Sequence, residues 1–457
     1  MPVGASDGSA GWEGGVGARG GCGGGCRFGG GDRVGVLVGG RSVGRVTADV
    51  RGRGPEKQPG SGISITTRGL GRALLARQHL LARADAGAVD AVRHLVALQS
   101  QNPSSAYLAL QARLAGFAHA DLADAMADRR VGRLALLRDT VHLVTADDAL
   151  RLWPVLAPMF RKHLTANVSA APTLRQVDLD ALRDAALTAL ADGPLSSRAL
   201  GERLAESWPG LDPTSLAMGA RGTLPLVQVT PRGVWGRSMA TTWTTAWTWF
   251  EGAGPSAAPA AEPSDDEREA VLGDLVRRYL AVYGPATVAD VQRWSGLTRL
   301  GAVVDRLRPE LVEVVHVDPP SGRPRVLLDL PDAPRPPEDV PAPTRLLPDF
   351  DNLLLGHDDR TRVIPPEVRP ALASRNGMPP GTVLVDGLVA GSWVLRRERL
   401  PRPDGAPRTR RERALLTVTP LRRWTAAERR GVLAEAEAVA RFVADDAAEH
   451  AVAVAAP

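Results

Sequence analysis

The stretch Leu95-Val-Ala-Leu-Gln-Ser-Gln-Asn-Pro-Ser-Ser-Ala-Tyr-Leu-Ala-Leu-Gln-Ala-Arg-Leu114 decides how this chain is read, and its centre is the triplet Gln99-Ser100-Gln101. Upstream, Val89, Val92, Leu95, Val96 and Leu98 recur at helical spacing and predict a buried amphipathic helix leading into the triplet. Asn102-Pro103 then interrupts, because proline pushes the residue before it towards extended geometry. Ser104 is placed to cap a second helix with Tyr107, Leu108, Leu110 and Leu114 on its apolar positions. The two glutamines are therefore expected on the seam between two helices. If the backbone there is extended, residues two apart point to one side and both amides can share a cleft. In a continuing helix they would diverge by roughly 200°. Paired neutral amides also have a plainer use, capping loose backbone groups, and spacing alone favours that reading.

The totals bound the answer without deciding it. At ~150 residues per domain, 457 residues suggest about three domains. A formal charge of +5 and a pI near 9.8 hint at nucleic acid. Eight Lys/Arg against five Asp/Glu in residues 1–62 put +3 of that charge in the N-terminal tail, so any DNA surface must come from local segregation. Lysine occurs only at Lys57 and Lys162, and the abundance of arginine, alanine and glycine looks like GC-rich coding, so the arginine count itself carries no function. Cys22 and Cys26 form a lone spacing without a second pair, and the eight histidines fall into no ligand pattern. No metal, cofactor or disulfide is expected. Without a run of about 18 apolar residues or an apolar signal core, a cytoplasmic protein that does not span a membrane is expected.

Along the chain, residues 1–62 hold 22 of the 48 glycines and read as a disordered extension. A repeat occupies the middle. Asp192-Gly-Pro-Leu-Ser-Ser-Arg-Ala-Leu-Gly-Glu-Arg-Leu204 aligns with Tyr283-Gly-Pro-Ala-Thr-Val-Ala-Asp-Val-Gln-Arg-Trp294, the Gly-Pro pairs lying 91 residues apart. Each copy reads as helix, helix, helix and two strands, the order of a winged helix, with second strands expected at 233–236 and 326–329. Trp243, Trp247 and Trp249 fall at helical spacing in 241–250 and read as core; stacking on bases is the sharper alternative. After a proline-rich linker at 331–343, alternating segments predict a small β domain, and 426–448 an alanine-rich helix.

Four motifs occur in one order: the opening stretch, Leu137-Arg-Asp-Thr-Val-His-Leu-Val144, Leu346-Leu-Pro-Asp-Phe-Asp-Asn-Leu-Leu-Leu-Gly-His-Asp-Asp-Arg-Thr-Arg-Val-Ile364, and Asp386-Gly-Leu-Val-Ala-Gly-Ser-Trp393. Together they resemble the AlkZ/YcaQ family of winged-helix DNA glycosylases, which excise alkylated bases and unhook interstrand crosslinks. The resemblance spans roughly residues 65–445. It implies an α+β chain of tandem winged-helix units at 63–175, 176–255 and 264–330, a β-rich C-terminal domain at 344–425, and a closing helix at 426–457. The first unit leans on the resemblance more than on pattern.

It also implies chemistry. In the family the two glutamines are catalytic, which points to Gln99 and Gln101; a related subgroup carries Asp at the second position, so this chain falls on the crosslink and bulky-adduct side. Excision passes through an oxocarbenium-like state, and an N7-alkylated purine already carries positive charge. The protein then needs to hold a water and place negative dipole near the sugar. His142, Asp351, Asn352 and Arg360 are expected to line or support that cleft. Asp349, Asp351, Asn352, His357, Asp359 and Arg360 could suggest a magnesium site, or a turn pinned by Asp–Arg pairing and side-chain caps; the resemblance favours the turn. The densest basic run is Arg396, Arg397, Arg399, Arg402, Arg408, Arg410, Arg411 and Arg413 against Glu398, Asp404 and Glu412. It suits phosphate contact, although such runs are often only solvated faces. The expected partner is double-stranded DNA carrying alkylated or crosslinked bases. A monofunctional glycosylase is expected, with a non-catalytic winged-helix transcriptional regulator as the alternative and a scaffold as the third.

Overall fold

A computed structural model describes residues 62–251, 262–372, 379–401 and 411–455. The expectations for residues 1–61 and for Arg402, Arg408 and Arg410 lie outside them. The unit Ile63–Pro457 is a mixed α+β structure built on three sheets.

The opening stretch sets the path of the first sheet. The expected helix stops at His94, and Val96 takes a left-handed φ of 69° that redirects the chain. Leu98–Gln99 then runs as a short strand antiparallel to Val141–Thr145. The next helix, Pro103–Arg113, is capped by Asn102 rather than by Ser104: the Asn102 side chain accepts from the Ser104 amide at 3.2 Å. Proline at the first helical position explains the shift, since its missing N–H costs nothing there. The sheet continues through Val131–Ala135, Leu226–Gln228, Thr242–Thr245 and Leu195–Ser196, so strands from 63–175 and from 176–255 share one six-stranded sheet.

Each repeat copy shows three helices and two antiparallel strands. The first has Leu179–Ala189, Ser197–Ala205, Pro213–Thr223, Leu226–Gln228 and Thr242–Thr245. The second has Asp265–Tyr283, Val288–Ser295, Gly301–Leu307, Val312–His316 and Arg325–Asp329. The strand expected at 233–236 is instead a turn, and its place is taken by Thr242–Thr245, where β-branched and aromatic residues suit a half-buried sheet surface. The helix expected over 241–250 accordingly shrinks to Ala246–Glu251. Trp243 and Trp247 lie buried in the core of the first copy, and Trp249 carries the Arg129 guanidinium over its face at 4.5 Å. In the second copy a third strand, Ile63–Ile65, pairs in parallel with Val312–His316.

The third sheet orders Arg345–Leu347, Gly381–Val385, Leu388–Arg399, Glu412–Pro420 and Glu449–Val454. The helix Ala426–Val443 covers it through Val432, Ala436, Val439 and Ala440, packed on Val383, Trp393 and Leu416. The closing helix expected over 426–457 therefore ends early, and the chain returns as a strand. Asp445 and Asp446 would oppose the dipole at a helix C-terminus; instead Asp446 pairs with Arg397 across the sheet.

Candidate active site

The extended backbone brings the two glutamine amides together. Gln99 is 7 % exposed and Gln101 is exposed above it, and Gln99 Nε2 donates to Gln101 Oε1 at 2.9 Å. Below them the Ser100 amide donates to Val141 O at 2.8 Å, and Arg133 donates from Nε to Ser100 Oγ at 3.1 Å. The triplet is thus fastened to the sheet through its middle residue, which leaves the glutamines on the other side.

The polarity of the pair is fixed by Arg138. Its Nη2 lies 2.7 Å from Gln99 Oε1, and a guanidinium can only donate, so the carbonyl end of Gln99 must face it. The Gln99 amide nitrogen consequently faces Gln101, whose own oxygen must accept. Arg138 also donates to the Trp294 carbonyl from the second repeat copy, and it adopts a left-handed φ of 54° in doing so. Burial lowers its pKa to about 10, with the neighbouring cations Arg293 and Arg360 acting in the same direction. Gln99 is therefore committed at both ends. Gln101 keeps its amide N–H groups and one carbonyl lone pair for something else.

The segment 349–352 holds the backbone that carries Gln99. Asn352 Oδ1 accepts from the backbone N–H of Gln99 at 3.3 Å, and its Nδ2 donates to Ala97 O. Asp351 caps the short helix Asn352–Leu355 and forms a buried bidentate pair with Arg113 at 2.7 and 2.8 Å. The pinned turn is what forms here, with Arg113 rather than Arg360 as the arginine. Arg360 is half-buried and forms no salt bridge with a described carboxylate; burial first, then Arg293 and Arg369, lowers its pKa, and Asp358 opposes them. His142, opposite Gln99 in the sheet, is fully buried. Its Nδ1 lies 2.8 Å from Thr140 O and its Nε2 has no partner among the described residues, while burial and the adjacent Arg138 bring its pKa down to about 3. Its ring is held in the neutral form next to Gln99 in the sheet.

The basic hairpin is a different environment. Arg397 bonds Asp446 at 3.0 Å and Glu412 at 3.4 Å, Arg413 bonds Glu398, and Arg411 lies 4.0 Å from Glu449. Arg396 and Arg399 are exposed, with no acidic partner among the described residues. Sequence reasoning overlooked Arg138, Arg293 and Arg369. Arg138 stood inside a quoted motif, but nothing in that motif shows that it reaches a residue 39 positions away. Among the described residues no group of three His, Cys, Asp or Glu is arranged to hold a metal ion, and no helix is long and apolar enough to cross a membrane.

The family model for DNA glycosylase AlkZ-like proteins matches residues 92–442, from just before the glutamine pair to the end of the C-terminal helix. Among solved structures, the Streptomyces sahachiroi DNA glycosylase AlkZ superposes with a TM-score of 0.64 at 22 % identity, covering 86 % of this chain and 100 % of that one. No curated protein sequence matches. The extent of the family match shows that this chain belongs to the AlkZ-like DNA glycosylase family.

Proposed function

We propose that this DNA glycosylase excises N7-alkylated and bulky purine adducts, and unhooks interstrand crosslinks, with Gln101 holding the attacking water and Gln99 holding Gln101. The observation that carries this is the one-way hydrogen-bond chain from Arg138 through Gln99 to Gln101. It leaves a single preorganised amide at the surface, and preorganised dipoles stabilise developing charge without reorganisation cost. An N7-alkylpurine is cationic, so the C1′–N9 bond breaks with its electron pair neutralising the base, and no strong acid is needed. Water then adds to C1′. The groups described around the pair are amides, guanidinium ions and carboxylates, with no lysine; that supports attack by water, and hence a monofunctional enzyme, over attack by an amine.

The DNA is a duplex held by Arg396, Arg399 and Arg411 of the hairpin and by Arg408 and Arg410 of the same basic run, with Arg397 a weaker contributor, and by Arg138, Arg293, Arg360 and Arg369. The helix and strand order of the two repeat copies supports winged-helix units at 176–255 and 264–330, with 63–175 as a third unit carrying the glutamines and 344–425 as the β-rich domain. The test is incubation with duplexes carrying N7-alkylguanine or a nitrogen-mustard crosslink, followed by hot alkali. Strand breaks at the adduct are expected. Sequence-specific retention without breaks would overturn the reading in favour of a regulator.

A further inference from the structure

Several carboxylates near the core are answered by arginine. Asp351 has Arg113, Asp329 has Arg77 and Arg335, and Asp148 has Arg278. Asp349 differs. It is half-buried and has no basic partner among the described residues. It accepts instead from the hydroxyl of Ser105, and Asn102 also bonds it. Those two residues are the first turn and the cap of the helix that begins immediately after Gln101. Burial raises the Asp349 pKa above the ordinary 3.8. Between Asp349 and Asp351, Phe350 is held at a left-handed φ of 54°, a conformation that bulky residues rarely adopt and that persists only where the surroundings over-determine it. Across this strained residue one carboxylate goes to Arg113 and the other to the segment that carries Gln101.

The chemistry asks for such a group. A sugar cation has to form beside Gln101, in a region that already holds Arg138, Arg293 and Arg360. Two neutral glutamines supply dipoles but no charge, and they cannot accept the proton that the attacking water must lose.

We infer that Asp349 is a catalytic residue, the carboxylate that faces the sugar cation and takes the proton of the water held by Gln101. The inference rests on the excision reading given above. The C1′–N9 bond breaks and its electron pair leaves with the purine; the water oxygen bonds C1′; its proton passes to the Asp349 carboxylate and from there to solvent. The products are the free base and a 1′-hydroxyl sugar.

Asp349→Asn keeps the shape and an acceptor for Ser105 while removing the charge. Excision of N7-methylguanine should fall by roughly 10²-fold or more, as loss of a general base commonly does. Two abasic-site analogues separate catalysis from structure: a duplex carrying a cationic pyrrolidine should lose at least about tenfold in affinity, as for a lost partner of a charge. A duplex carrying neutral tetrahydrofuran should bind as before. Asp349→Ser, which can still accept from Ser105, must give the same pattern if Asn is poorly tolerated. Parent-like excision by these variants would overturn the inference, as would an equal loss of both analogues together with a lower Tm. A parent protein that leaves N7-methylguanine intact defeats the substrate reading instead, and the pyrrolidine-to-tetrahydrofuran preference still decides the role of Asp349.

Discussion

Two groups of arginines in this molecule look alike on paper and differ in the fold. The C-terminal hairpin has the denser run, yet Arg397 is matched by Asp446 and Glu412, Arg413 by Glu398, and Arg411 approaches Glu449. Arg138, Arg293, Arg360 and Arg369 are scattered over more than two hundred positions; Arg138 bonds Gln99, Arg293 and Arg360 act on Arg138, and Arg369 acts on Arg360, with Asp358 as the one described carboxylate acting on Arg360. The available charge depends on what folds against a cation, and an arginine at 397 is answered from 446. Counting residues along the chain ranks the hairpin first. Pairing in space leaves the glutamine side with the less compensated cluster, with Asp358 acting on Arg360.

The largest expected effect comes from breaking the glutamine side at its fixed point. Arg138→Ala removes the donor that sets the polarity of Gln99, so excision should fall by about 10²-fold or more in single-turnover assays. The orphaned acceptors should cost roughly 1–3 kcal/mol in thermal melts. Arg138→Lys keeps a donor without the fork and should land between.

Acid is a second way in. The fold holds His142 at a pKa of about 3, below its ordinary 6.5, so the folded state favours the neutral ring. This contribution to stability is fully present above pH 6.5 and is lost as pH falls towards 3. The loss approaches about 1.4 kcal/mol per pH unit. His357, also held at about 3 and buried, acts in the same direction. Melting temperatures recorded between pH 7 and pH 4 should therefore fall, and His142→Gln should flatten the slope.

Smaller effects test the arginines as DNA contacts. Arg293→Ala, Arg360→Ala and Arg369→Ala should each weaken binding to damaged and undamaged duplex alike, and each should reduce the salt-dependence slope by about one. Arg396→Ala should do the same. The smallest change is expected at Arg413→Ala, whose charge is already matched by Glu398 in a solvent-screened pair. If Arg413→Ala weakens DNA binding as much as Arg360→Ala does, the contrast between the two groups fails.

Much of the glutamine side was legible in sequence because it is local. Two residues apart on extended backbone share a side, and Gln99 and Gln101 do meet. The polarity of the pair was not legible, since it depends on an arginine 39 positions on with a left-handed backbone that no propensity foretells. The pinned turn at 349–352 was read correctly in kind, but Arg113, its partner from 238 positions away, could not be. The helix and strand order of the repeat was visible in its Gly-Pro spacing. The second strand of the first copy was misplaced because Gly233–Gly236 offers a turn signature and an apolar pair, while Thr242–Thr245 completes the sheet only by pairing with Leu226–Gln228. The closing strand was hidden in alanine-rich sequence that suits a helix until Asp446 finds Arg397.

The central claim is that Gln101 touches the reacting atoms while Gln99 and Arg138 hold it. The most direct test is single-turnover release of N7-alkylguanine from a duplex by the parent and by Gln101→Ala, alongside duplex affinity and Tm. The expected result is a loss of about 10²-fold or more in the excision rate, with affinity nearly unchanged and stability within about 0.5 kcal/mol. Excision by Gln101→Ala at the parent rate would contradict the account.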